Sequence, residues 1–218
     1  MLEGRMVGGL VLVVASANPD KVSEIKALLA RTLPGVEVRP RPTDMPDVEE
    51  TGDTLLENAR LKAAAVAAAS DLPAVADDTG LEVTALRGAP GVFTARYAGE
   101  RATYGENVAK LLGALVGVVD RRACFRTVAL VRWPDGREVT AEGVVDGTIA
   151  ASARGRSGFG YDPIFVPADG GGLTFAELGT DAKHEISHRG RAFQALAAKL
   201  SSGGPMSMGG EGMPEQKG

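Results

Sequence analysis

The sequence predicts an α/β protein built on a mixed sheet, and three observations carry that expectation. A buried-strand run, Leu10-Val11-Leu12-Val13-Val14, passes through a short polar loop into an amphipathic helix pattern. An Ala-rich helix pattern is followed by a second short apolar run, Ala74-Val75-Ala76. Two long runs, Ala123–Trp133 and Arg137–Val145, flank Pro134-Asp135-Gly136 and read as an antiparallel hairpin. Strands that alternate with helices favour parallel neighbours, and the hairpin adds antiparallel ones. A chain of 218 residues can form one large domain or two lobes sharing a cleft.

Composition narrows the function classes. Hydrophobic residues make up 44% and charged residues 24%, which is ordinary for a globular protein. A formal charge of −4 and a pI near 5.3 argue against a nucleic-acid polymer as partner. A small phosphorylated ligand needs only a local cluster of Lys and Arg, which an acidic protein can supply. Cys124 is the single cysteine, which excludes an intrachain disulfide and suits a reducing cytoplasm. Met6 to Val14 has the outline of a secretory signal, with Arg5 before it and Ala15-Ser16-Ala17 after it. Glu3 cancels Arg5, however, Gly8-Gly9 interrupts the apolar run, and cleavage would remove the best opening strand. The segment is therefore read as a core strand. No run approaches the ~20 apolar residues of a membrane span, so no membrane partner is expected.

The elements follow in order. Residues 1–9 read as an N-terminal extension and 10–200 as the working domain. Asn18 suits a helix N-cap and Pro19 the first helical position, with Val22, Ile25, Leu28 and Leu29 inward. Pro34 to Asp53 is rich in proline and acids and reads as a strand-poor crossover. Thr54-Leu55-Leu56-Glu57 is a capping box that opens the Ala-rich helix to about Ala69. Ala74–Ala76 and Leu81–Thr84 read as two short strands separated by an Asp77-Asp78-Thr79-Gly80 turn. Arg87 to Gly99 is a loop punctuated by Gly and Pro, and Thr103-Tyr104-Gly105-Glu106 is a second capping box. After the hairpin come a glycine-rich segment, Gly155 to Gly160, and a strand, Ile164-Phe165-Val166. The last helix runs from about Ser187 to Leu200, with Phe193, Leu196, Ala197 and Leu200 inward. Residues 201–218, rich in Gly, Met and Pro, read as a flexible tail without a role in chemistry.

Four constellations carry chemistry. Lys21 falls in the opening turn of the first helix, where a cation opposes the helix dipole by ~0.3–1 kcal/mol. A bound anion would reverse that sign, so strand, loop and lysine together suggest a phosphate site. Asp77 and Asp78 follow a buried strand and point to opposite sides, and Glu50 offers a further carboxylate. One or two carboxylates plus substrate phosphates are the usual holders of Mg²⁺. Asn58 and Lys62 lie one turn apart on one helix face. In Ser157-Gly158-Phe159-Gly160-Tyr161-Asp162-Pro163, the glycines admit close backbone approach. Phe159 and Tyr161 offer faces to a base, and Asp162 offers an acceptor for a base N–H. Finally, Ser187 caps a helix whose start is crowded by His188, Arg189 and Arg191, with Lys183 just before. A rival reading uses the same stretch, since His184-Glu185-Ile186-Ser187-His188 fits the zinc-protease pattern H-E-x-x-H. That pattern needs both histidines on one continuous helix and a third ligand.

In combination these segments resemble the inosine triphosphate pyrophosphatase family, the XTP/dITP diphosphatases. The matching motifs run in order from Leu10 to Leu200. They include Ser16-x-Asn18-x-x-Lys21, Glu49-Glu50-Thr51-Gly52, Ala76-Asp77-Asp78-Thr79-Gly80-Leu81, Gly88-Ala89-Pro90-Gly91, Gly158-Phe159-Gly160-Tyr161-Asp162-Pro163 and Ile186-Ser187-His188-Arg189-Gly190. The resemblance implies an elongated α/β fold, two lobes with a central cleft, and a homodimer. It implies Mg²⁺-dependent hydrolysis of ITP, dITP and XTP to the monophosphate and pyrophosphate. By the same carry-over, Ser16, Asn18, Lys21 and Thr79 bind the triphosphate with Lys62 alongside. Glu50 and Asp78 hold the metal, and Asp78 accepts the proton. Phe159, Gly160, Tyr161, Asp162, Lys183, His188 and Arg189 form the base and phosphate pocket.

The chain departs from the family pattern in places. Ser16 stands for a commoner Thr and Thr79 for a commoner Ser, each keeping a hydroxyl. Ala17 and Ser157 replace common glycines, and Val145-Asp146-Gly147 replaces a frequent Trp-Pro-Gly. His184 stands where Asn or Asp is common, so no role carries over to it.

Overall fold

The computed structural model describes residues 9–203 and 207–208. The apolar run at the start is β1 (Val11–Val14). It leads into α1 (Pro19–Thr32), where the Asn18 side chain accepts from the Asp20 and Lys21 amides at 3.0 and 3.2 Å. β2 (Glu37–Pro40) lies inside the stretch read as strand-poor, which is a correction. It is an exposed edge strand that pairs with β1 alone among the described residues, so it carries no apolar alternation and ends at a proline. α2 (Leu55–Ser70) begins at the expected capping box of Thr54 and Glu57.

The second correction concerns β3 (Ala74–Val83). It runs unbroken through Asp77-Asp78-Thr79-Gly80, where the composition suggested a turn. After β4 (Pro90–Gly91) comes α3 (Tyr104–Ala114), opened by the capping box of Thr103 and Glu106. The hairpin is β5 (Arg122–Arg132) with β6 (Arg137–Ile149), followed by β7 (Phe165–Pro167). The chain closes with α4 (Thr180–Ile186), α5 (His188–Ser202) and β8 (Ser207–Met208). α4 has no counterpart in the sequence reading, and β8 gives the expected tail a two-residue pairing with Arg137 and Glu138. The expectations for residues 1–8, 204–206 and 209–218 lie outside the described residues.

The sheet is mixed and curled, with the path β2-β1-β3-β5-β6-β7. β1 is parallel to both β2 and β3, and the remaining pairs on that path are antiparallel. Three apolar clusters pack on it. Leu12, Val75 and Ala129 join α1 and α5 on one face, and Val13, Ala76 and Leu130 join α2 on the other. Further along the same strands, Leu81, Phe125 and Val145 join α3 and Phe165 in a third cluster. The long strands thus serve two lobes. Between the clusters their middles carry Asp77, Asp78, Thr79 and Thr127, with Thr79 opposite Thr127 in register. Polar side chains in the middle of buried strands mark the cleft between the lobes.

Candidate active site

Strand alternation sends Asp77 and Asp78 to opposite faces. Asp78, on the α2 side, meets Lys62 from the buried face of that helix. Lys62 Nζ donates to Asp78 Oδ1 and to Glu50 Oε1, each at 2.8 Å. Asn58 Nδ2 donates to Asp78 Oδ2 at 3.4 Å, while its own oxygen accepts from the Gly52 amide at 2.8 Å. The Gly52 turn thereby fixes the acidic loop that brings in Glu50. Arg96 donates to a Glu50 carboxylate oxygen at 3.3 Å and to its carbonyl at 3.1 Å. Burial raises the Asp78 pKa above the ordinary carboxylate value, although Lys62 and Lys21 pull the other way. Burial works against Glu50 too, but Lys62, Lys21 and Arg96 outweigh it and hold that carboxyl below its usual value.

Asp77 has the opposite environment. Arg189 Nε donates to its Oδ2 at 3.1 Å, Thr79 donates at 3.2 Å, and Lys21 Nζ stands 3.6 Å away. Burial favours the neutral acid, yet Lys21, Arg189 and Lys62 hold this carboxyl far below the usual range. Asp77 Oδ1 is a buried acceptor without a hydrogen-bond partner. Glu24, which the sequence reading missed, holds Arg189 from α1 and stands 3.1 Å from Lys183. A signal existed, because Glu24 lies in line with Lys21 and Leu28 on the inward stripe of α1, where a charge needs a partner.

The turn before β7 completes the cleft. Asp162 Oδ2 accepts from the Phe159 amide at 2.9 Å and from Lys183 Nζ at 2.8 Å. Lys183 and Arg189 both lie over the Phe159 ring, 5.1 and 5.5 Å from its centroid. Tyr161 is buried in the second lobe, and its hydroxyl donates to the Thr94 carbonyl at 3.0 Å. The expected stacking face of Tyr161 is therefore corrected to a core position that lines the cleft. His188 is also buried, stacked on Phe125 with centroids 4.4 Å apart, and its Nδ1 lies 2.6 Å from Thr127 Oγ1. Burial, with Arg189 and Lys183 nearby, pushes its pKa well below the ordinary value, so the imidazole is neutral.

One cavity of about 100 Å³ gathers Asn18, Lys21, Glu50, Asp78, Thr79 and Arg189 among its walls, with Phe159, Gly160, Tyr161, Asp162 and His188. Lys62 and Ser16 line an adjoining cavity, and Lys183 lines a third behind Phe159. The sequence-predicted residues therefore form one contiguous region. Tyr104, Asn107 and Thr94 line the first cavity without having been anticipated. Tyr104 bridges to α1, accepting from Asn18 Nδ2 at 2.8 Å and donating to Asp20 at 3.1 Å.

The zinc reading does not survive the backbone. Ser187 is extended, with φ −72° and ψ 154°, and it separates His184 on α4 from His188 on α5. Among the described residues no three His, Cys, Asp or Glu side chains are placed to hold a metal. A two-carboxylate site completed by a ligand's oxygens remains compatible with the pair on Lys62.

The profile of the Ham1 family matches residues 12–199. A dITP/XTP pyrophosphatase of Caulobacter vibrioides is 47% identical over 194 residues, covering 88% of this chain and 98% of that one. One from Rhodospirillum centenum is 45% identical over 206 residues, covering 91% and 98%. Among solved structures, a HAM1 protein from Coxiella burnetii superposes with a TM-score of 0.78 at 43% identity, covering 88% of this chain and 99% of that one.

Proposed function

The chain belongs to the Ham1 family, and from that premise we propose that it is a nucleoside triphosphate pyrophosphohydrolase acting on the non-standard purine nucleotides ITP, dITP and XTP. The observation that carries the reading is the junction of Lys62 with Glu50 and Asp78 at 2.8 Å each, on the same cleft as the start of α1. Two carboxylates already converge there on one cation, and their oxygens suit Mg²⁺ when phosphate oxygens complete the shell. Glu50 and Asp78 would hold that ion, which supplies charge neutralisation of the phosphates.

The chain's own groups do the rest. Asp78 accepts a proton from a water molecule as the water oxygen forms a bond to the α-phosphorus. The bond between that phosphorus and the bridging oxygen breaks, and its electron pair leaves with pyrophosphate. Lys21, at the start of α1, faces the departing charge.

Base choice rests on Lys183 and Asp162, a donor and an acceptor 2.8 Å apart. Hypoxanthine and xanthine present an oxygen at position 6 beside an N–H at position 1, and adenine presents the reverse. An adenine ring would face that donor and acceptor with its polarity reversed, so ATP is expected to react far more slowly than ITP. The resemblance to the family also supports a homodimer, which sedimentation would test. The central test is a panel of ITP, XTP, dITP, ATP and GTP with Mg²⁺, products assigned by phosphorus NMR. IMP and pyrophosphate from ITP, with ATP nearly inert, is the expected outcome. IDP and orthophosphate would sink the proposal.

A further inference from the structure

Two cavities meet at the start of α1. The smaller is walled by Phe159, His188 and Arg189, and the larger, about 220 Å³, by Ser16, Arg41, Asp47 and Lys62. They share Asn18, Lys21, Glu50 and Ala95. Arg41 therefore lies at the end away from Phe159, beyond the shared wall. The sheet explains its place. β2 is parallel to β1, and Val14 pairs with Pro40, so Arg41 emerges just past the carboxyl end of β2 beside the Ser16 loop. Open parallel sheets bind ligands outside the carboxyl ends of their strands.

Charge singles Arg41 out among the cations of this cavity. Lys62 is locked at 2.8 Å to both Glu50 and Asp78. Lys21 faces the fully buried Asp77 at 3.6 Å. Arg41 Nη2 instead donates to Asp47 Oδ1 at 2.6 Å and to the Met45 carbonyl at 3.3 Å. The Asp47 side chain is 76% exposed while that of Arg41 is 21% exposed. An exposed counterion is worth little to the fold, so a polyanion can displace it at small cost.

We propose that Arg41 is the ligand of the terminal phosphate of the nucleoside triphosphate, a claim that rests on the function proposed above. With the base at Phe159 and the reacting phosphorus at Asp78, the phosphate chain extends along Lys21 toward Arg41. A guanidinium fork there recognises the third phosphate bidentately. It discriminates triphosphate from diphosphate and holds the outer end of the leaving pyrophosphate.

The test compares wild type with R41Q, R41K and D47N. Calorimetry without metal measures binding of an α,β-imido inosine triphosphate, IDP and IMP, and kcat/KM for ITP is measured alongside. R41Q is expected to weaken the imido-triphosphate about 10- to 100-fold, the range for a lost charge-assisted contact, and to leave IDP and IMP within about twofold. R41K keeps the charge without the fork and gives a smaller loss in the same order, which serves equally if R41Q melts early. D47N frees the guanidinium and leaves triphosphate binding at or above wild type. If Arg41 only braces its loop, D47N copies R41Q and all three ligands weaken alike, which overturns the proposal. Unchanged triphosphate binding in R41Q and R41K overturns it as well. A wild-type protein that releases no pyrophosphate from ITP in the presence of Mg²⁺ would refute the underlying function, an outcome visible before any variant is made.

Discussion

Asp77 and Asp78 are neighbours with opposite electrostatic surroundings, and the site depends on the difference. Asp77 is fixed as a carboxylate by Arg189 and Lys21, whereas burial outweighs Lys62 at Asp78 and raises its proton affinity. One anchors cations and the other can exchange a proton. Asp78→Asn is therefore expected to lower kcat at least ~100-fold while the thermal melt stays near that of wild type. Near-normal turnover in steady-state kinetics would contradict the assignment. His188 gives a stability prediction with a definite sign. Its folded pKa lies well below the ordinary value, so the unfolded chain takes up a proton first as pH falls. The stabilisation is complete above pH ~6.5 and declines below it by about 1.4 kcal/mol per pH unit until the folded value is reached. Between pH 7 and 5 wild type should lose Tm relative to His188→Gln in a pH series of melts. Asp77 and Glu24, held below their usual values, contribute stability above the ordinary carboxylate range and lose it only in stronger acid.

At the scale of elements, the break between α4 and α5 sets the geometry of Lys183, His188 and Arg189. Ser187 Oγ accepts from the Gly190 amide at 3.0 Å and starts the second helix. A Cβ on Gly190 would stand 1.8 Å from the His184 carbonyl oxygen, so the two helices meet only because that residue is glycine. Gly190→Ala should cost at least ~1–3 kcal/mol and also lower activity, because the backbone that aims Arg189 must shift. Denaturant melts and kcat/KM check both. The Ser187 cap was legible in the sequence, since Ser187 stands just before the helical stripe of Phe193, Leu196, Ala197 and Leu200. α4 was not legible, because a seven-residue helix offers too short a period. β2 was hidden by its exposed edge position and by Pro40. β3 was misread at its centre because the groups that make the cleft, Asp77 to Gly80, are turn formers by composition. Propensity failed there because Lys21, Lys62 and Arg189 compensate the buried acids from distant elements. Tyr104 and Thr127 left no mark in the sequence, since a surface-helix tyrosine and a strand threonine are ordinary residues until the fold brings Asn18 and His188 to them.

Across the whole molecule, the long strands place one band of paired cations and carboxylates between two apolar lobes. The alternation of strands and helices foretold the mixed sheet, but periodicity could not show that β3, β5 and β6 serve both lobes. Ser207–Met208 pairs with the hairpin end of β6, away from the Thr127–Gly143 register that borders the site. Truncation after Ser202 should leave kcat/KM for ITP within about twofold and lower Tm only slightly. A large loss of activity on that truncation would tie the tail to the cleft. The central claim is that this architecture directs water at the α-phosphorus of a purine triphosphate. It is tested most directly by hydrolysing ITP in ¹⁸O-labelled water and weighing both products by mass spectrometry. Label in IMP and unlabelled pyrophosphate is the expected result, and label in pyrophosphate or orthophosphate would contradict the account.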